Sequence, residues 1–80
     1  MPDRHVVTLV VRTHCGSCRR VAEQIRPVVS QAGAGFELCN VDEDREAKLE
    51  FGDRVPVVLV DGEELGCWEI DNEDLAQALL

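Results

Sequence analysis

The sequence predicts an α/β fold, a four-stranded mixed sheet of strand order 2-1-3-4 with helices on both faces. Three observations carry this expectation. The segment His5 to Val11 is apolar at both alternating sets of positions, as a strand covered on each side by helices must be. A helical pattern and then a second strand pattern follow it, so the first two strands are parallel and joined by a right-handed crossover. Near the other end, Asp61-Gly62 stands between two short strand patterns, and this dipeptide favours a two-residue hairpin turn. The order β-α-β-α-β-β-α results.

Each element has its own signal. In the first strand Val6 and Val10 share one side, and Val7, Leu9 and Val11 the other. From Cys18 to about Gln31, Val21, Ile25, Val28, Val29 and Ala32 recur at helical spacing. Pro27 removes a backbone bond to residue 23 and is expected to kink this helix. Gly33-Ala34-Gly35 ends it and opens a strand from Phe36 to Val41. Asp42 is the expected N-cap of a second helix through Phe51, with Glu43 and Asp44 suiting its positive end and Gly52 stopping it. Val57 to Val60 and Glu63 to about Cys67 are the hairpin strands. Asp71 caps a last helix whose inner face is expected to carry Leu75, Ala76, Leu79 and Leu80.

Eighty residues are expected to form one domain, residues 1–80, near the lower size limit for a core that needs no staples. Any chemistry must then occur at a surface site. The longest apolar run, within Val6 to Val11, is interrupted by Thr8 and is far too short to span a membrane. The N-terminal residues Met1-Pro2-Asp3-Arg4-His5 carry no charged-then-apolar export pattern, so a cytoplasmic protein is expected; it is expected to be a monomer. Sixteen acidic against eight basic residues give a net charge of −8, which disfavours nucleic acid and anionic membranes as partners. The charge is uneven. Arg4, Arg12, Arg19, Arg20 and Arg26 precede Phe36, while the acids crowd between Glu37 and Asp74.

Within the basic part lies Cys15-Gly16-Ser17-Cys18. At a strand-to-helix junction the first thiol meets the unpaired N–H groups and positive dipole end of the helix, which favour thiolate, and the second lies within reach of disulfide closure. Arg19 and Arg20 either raise the local potential or simply solvate a helix face. The other two cysteines, Cys39 and Cys67, are isolated in strand-like segments. This spacing suits one redox pair better than a disulfide framework. Cys39 reads as a small hydrophobe at a sheet edge; Cys67 reads as packing, a metal ligand or a thiol open to modification. His14 is either a loop residue or a cation beside Cys15. Trp68 is expected on the sheet edge or on the rim of the site.

Three stretches, Thr13-His14-Cys15-Gly16-Ser17-Cys18, Asn40-Val41-Asp42-Glu43-Asp44 and Arg54-Val55-Pro56-Val57-Val58-Leu59-Val60-Asp61-Gly62, resemble the small bacterial glutaredoxin-like proteins of the thioredoxin-fold superfamily, in order and over nearly the whole chain. The resemblance implies a minimal thioredoxin fold and a thiol–disulfide oxidoreductase. It implies Cys15 as nucleophile, Cys18 as resolving thiol, and a cis Val55–Pro56 bond facing the sulfurs. Positions matching a glutathione or substrate site are Arg12, Gly16, Ser17, Arg54, Gly66, Cys67 and Asp71. Glutathione users commonly place Pro-Tyr between the cysteines and Thr before Val-Pro, where this chain has Gly16-Ser17 and Arg54. The electron donor is accordingly glutathione or a reductase, and the substrate a disulfide-bearing protein or a small thiol. No resident cofactor or metal is expected.

Metal carriage is the competing class. A strand, His14-Cys15-x-x-Cys18 and a helix also occur in small copper-chaperone domains, and two thiolates suit Cu(I). Those domains lack a Val-Pro before an Asp-Gly hairpin. An iron–sulfur cluster bridging two copies through Cys15 is a further possibility, whereas zinc sites pair their ligands in two close sets and Cys39 and Cys67 are single.

Overall fold

The computed structural model describes residues 4–80; the first three residues, which belong to the segment read for an export signal, lie outside them. The elements run β1 (Val6–Val11), α1 (Gly16–Gln31), β2 (Gly35–Asn40), a single 3-10 turn (Val41–Glu43), α2 (Arg45–Phe51), β3 (Val57–Val60), β4 (Glu63–Cys67) and α3 (Asn72–Ala78). The sheet order is β2-β1-β3-β4. β1 pairs parallel with β2 and antiparallel with β3, and β3 pairs antiparallel with β4. This is the expected topology.

The sheet separates two apolar layers. On one side Val7, Leu9 and Val58 pack with Val21, Ile25 and Val29 of α1 and with Leu75 and Leu79 at the C-terminal helix. On the other, Val10 and Val57 pack with Cys18, Val41, Val55 and Ala47 of α2. Burying a Leu or Ile side chain such as Leu9 or Ile25, both fully buried, contributes about 1.5–3 kcal/mol each. β1 therefore has to be apolar in both directions, and it is buried at Val7, Leu9 and Val10. Val6 departs from this pattern: it lies at the strand's open end and is exposed.

Several boundaries differ from expectation for local reasons. α1 begins at Gly16, two residues early, because Cys15 takes the capping position. It continues through the exposed Pro27 to Gln31 as one helix. Asp42 does not cap α2. Asn40 caps the 3-10 turn, and Asp44 caps α2 by accepting the Ala47 N–H at 3.0 Å. The last helix stops at Ala78, so Leu75 and Leu79 face the core while Ala76 and Leu80 are exposed.

The β3–β4 hairpin turns through Asp61 and Gly62, both with positive φ (53° and 88°), the pair of conformations that a primed two-residue turn demands. The register slips between Val58 and Leu59, which face Gly66 and Glu64. The extra residue, Leu65, packs on the α1 and α3 layer. Such a bulge bends the strand and re-aims its side chains. Asp61 also accepts the Val6 N–H at 2.9 Å and contacts His5 Nδ1, while His5 Nε2 lies 3.4 Å from the Leu80 carbonyl oxygen. This joins the hairpin, β1 and the C-terminus at the end of the sheet away from the cysteine pair.

Candidate active site

β1 delivers the chain to Val11, and three loop residues carry it to Cys15, the residue before α1. His14 makes the turn with φ 59°, a left-handed conformation that His tolerates better than most residues. Cys15 is extended (φ −108°, ψ 108°) and caps α1, its Sγ accepting the Cys18 N–H at 3.2 Å. The first turn of α1 contains no acid, so the helix itself sets no carboxylate against a charge on that sulfur. Cys15 and Cys18 are joined as a disulfide with Cα atoms 5.2 Å apart. Cys15 is partly exposed, whereas Cys18 is 4% exposed. Cys15 is thus the more accessible member of the pair.

The loop before Cys15 is braced from β2. Asp42 accepts the Thr13 N–H at 3.0 Å, the Asn40 side-chain amide donates to Thr13 Oγ1 at 3.3 Å, and Asn40 Oδ1 accepts the Asp42 N–H at 2.8 Å. The Thr13 backbone and side chain, followed by Lys48 and Arg12, hold the Asp42 carboxyl below the usual carboxylate range. Asp42 thus positions the active-site loop rather than a helix. Its place in the Asn40-Val41-Asp42 motif was the available sequence signal, although capping propensity pointed elsewhere.

From the other side comes the loop before β3. The Val55–Pro56 bond is cis, and both residues are buried. Trp68, with φ 68°, donates its N–H to the Pro56 carbonyl at 2.8 Å, tying the end of β4 to this loop. The Trp68 ring itself is largely exposed. Cys39, Val10, Val57 and Cys67 face one another in a row across the sheet. All four cysteines consequently border the same apolar cluster as Val55. Burial, with Asp44 and Glu37 nearby, pushes the Cys39 thiol up. Among the described residues no buried side chain is polar or charged, so no buried acid or base lies beneath Cys18.

The remaining expected binding residues divide into two sets. Arg12 and Gly16 line an open groove of about 530 Å³ with Cys15, His14, Arg19 and Leu38. Ser17 is exposed on the first turn of α1. Arg54, Gly66, Cys67 and Asp71 do not line it. Arg54 Nη1 donates to both Glu64 oxygens at 2.7 and 2.6 Å, and Nη2 donates to the Glu50 carbonyl at 3.1 Å. Gly66 lies under Ile70, where a Cβ would stand 3.2 Å from the Ile70 Cδ1. Asp71 caps α3, accepting the Glu73 N–H at 2.7 Å. Cys67 is half-buried at the end of β4. The groove's rim at Leu38 was not singled out by the sequence, because an apolar residue in a strand ordinarily signals core.

The sequence matches the family described as glutaredoxin-like domain (DUF836) over residues 6–80. It is 42% identical over 80 residues to an uncharacterized protein of Mycobacterium tuberculosis, Rv0508, with 91% of this chain and 80% of that protein covered. The structural-genomics target XcR50 from X. campestris is similar at 33% identity and a TM-score of 0.67, covering 91% of this chain and 93% of that one. The reduced thioredoxin pre-protein of Schistosoma mansoni is 23% identical with a TM-score of 0.72, covering 96% and 80%. At that identity the likeness speaks for a shared thioredoxin fold alone.

Proposed function

Because the chain belongs to the glutaredoxin-like domain family, we propose that it is a thiol–disulfide oxidoreductase working through Cys15 and Cys18. The observation that carries this reading is the asymmetry of the pair: a partly exposed sulfur that accepts a helix N–H, and a buried partner bonded to it. A thiol pKa of about 8.5 falls to about 3.5–7.5 at sites of this kind, which makes the outer sulfur the stronger candidate for attack.

In the proposed cycle the Cys15 thiolate attacks one sulfur of a substrate disulfide. A Cys15–substrate bond forms, the substrate's S–S bond breaks, and the departing sulfur takes a proton from water. Cys18, deprotonated, then attacks Cys15 Sγ, releases the second substrate thiol and closes the Cys15–Cys18 disulfide. Two electrons pass from the dithiol to the substrate. An external thiol, either glutathione or a reductase dithiol, returns them. With no buried base beneath Cys18, its proton leaves through the site to solvent, so the resolving step is expected to quicken with rising pH.

Among the described residues no three His, Cys, Asp or Glu side chains converge for a metal, so a single chain offers a metal only the Cys15–Cys18 pair, a two-thiolate set that suits Cu(I) and falls short of the four ligands of a structural zinc site. Among the described residues no helix is long and apolar enough to cross a membrane, and a reducing cytoplasm is the compartment that suits a cycling dithiol. Reduction of hydroxyethyl disulfide coupled to each candidate donor tests the proposal. Activity that is lost in Cys15→Ser supports it; activity retained there, or absent from the native chain with every donor, contradicts it.

A further inference from the structure

The groove beside Cys15 opens toward β2, away from the Pro56 loop, and its side chains form a pattern. The guanidinium groups of Arg12 and Arg19 make no hydrogen bond or ion pair among the described residues. Asp42, the acid whose charge Arg12 senses, already accepts the Thr13 N–H. By contrast Arg54, on the Pro56 side, is committed to Glu64. In a chain of net charge −8, Arg12 and Arg19 are the unpaired cations that line the groove with Cys15. Leu38, 55% exposed, and Ala22 supply an apolar patch at the far end. Because β2 is an outer strand of the sheet, that end is open sideways to an extended chain.

The dimensions indicate what fits. From Cys15 to Ala22 the helix rises by about 10 Å, the length of about three extended residues. Arg19 lies one turn from Cys15 and Ala22 nearly two. Resting on the oxidoreductase reading above, we propose that this groove selects protein disulfides whose attacked cysteine is followed or preceded, within about three residues, by an acidic and then an apolar side chain. The acid meets Arg19 and Arg12, and the apolar group covers Leu38. A small anionic thiol satisfies the arginines and leaves Leu38 bare, so the apolar contact is what distinguishes a polypeptide from it.

The test uses the reduced full chain and peptides disulfide-linked to one common thiol, so that only the flanking residues vary. The acidic–apolar peptide should be reduced at least about tenfold faster than its basic counterpart and several-fold faster than an acidic peptide lacking the apolar residue. Arg19→Glu, or Arg12→Glu with Arg19→Glu, should abolish or invert the charge preference. Leu38→Ser should remove the apolar increment alone, and Arg4→Glu, at the far end of β1, should leave both preferences intact. Equal reduction of all peptides, or a preference indifferent to Arg19→Glu, overturns the groove while leaving the oxidoreductase reading standing. A pure charge preference shared by glutathione disulfide and unmoved by Leu38→Ser also overturns it, in favour of a small anionic thiol. Failure to reduce any disulfide, hydroxyethyl disulfide included, removes the oxidoreductase reading and the groove with it.

Discussion

The Cys18 backbone N–H points at the Cys15 sulfur, 3.2 Å away, so the helix stabilises charge on the outer sulfur of the pair. In the reduced protein Cys15 is predicted to alkylate at least about tenfold faster than the other three thiols at neutral pH. Cys18 is shielded, and burial raises the Cys39 thiol above its ordinary pKa. Limited iodoacetamide labelling followed by peptide mass mapping measures the order. Fastest labelling at Cys18 or Cys39 would contradict the assignment.

At the opposite end of the sheet, His5 and Asp61 form a pH-dependent contact. The Asp61 hydrogen bond, then the Leu80 carbonyl, raises His5 above its ordinary 6.5. His5, then the Val6 N–H, lowers Asp61 below its ordinary 3.8. A raised histidine stabilises the fold fully below its unfolded pKa, and this is lost as pH climbs through the folded value. A lowered aspartate contributes above its unfolded pKa and loses that contribution as pH falls through its folded value. Both contributions coexist between about pH 4 and 6.5. The urea midpoint should fall from pH 6 toward 8, and less steeply in Asp61→Asn, which tolerates the positive φ and keeps an acceptor for Val6. An unchanged slope in that variant would contradict the pairing.

Helix capping separates Asp44 from Asp42. Asp44→Ala removes the acceptor for the Ala47 N–H and is expected to cost about 0.5–2 kcal/mol. Asp42→Ala releases the Thr13 N–H and should act on the loop before Cys15, slowing disulfide reduction more than it lowers stability. Urea unfolding and hydroxyethyl disulfide turnover, measured on both variants, check the division.

Arg54 and Arg12 should also part company. The Arg54–Glu64 pair is about one-third exposed, and such pairs are worth about 0–1 kcal/mol. Arg54→Ala is therefore expected to shift stability by less than about 1 kcal/mol and to leave preference for acidic substrates intact. A loss of that preference would return the anion site to the Pro56 side.

The sequence carried the topology because its signals are local and mutually consistent. Val6 to Val11 is apolar in both directions, α1 has helical spacing, and Asp61-Gly62 is a turn with a stereochemical reason. The cysteine pair was legible for the same reason. What escaped were properties set by tertiary context. Asp42, Glu43 and Asp44 are all plausible caps, and only the Thr13 contact removes Asp42 from the choice. Leu80 continues the apolar spacing of the last helix, yet that helix ends before it. Nothing in the identity of Trp68 announces positive φ, and Leu38 is left exposed on the outer strand β2.

That Cys15 attacks and Cys18 resolves can be read by mass spectrometry of Cys18→Ser after mixing with a disulfide substrate. One stable mixed disulfide per chain is expected, mapped to Cys15, with no such adduct in the Cys15→Ser, Cys18→Ser double variant. An adduct mapped to Cys39 or Cys67, or persisting at full yield without Cys15, would contradict it.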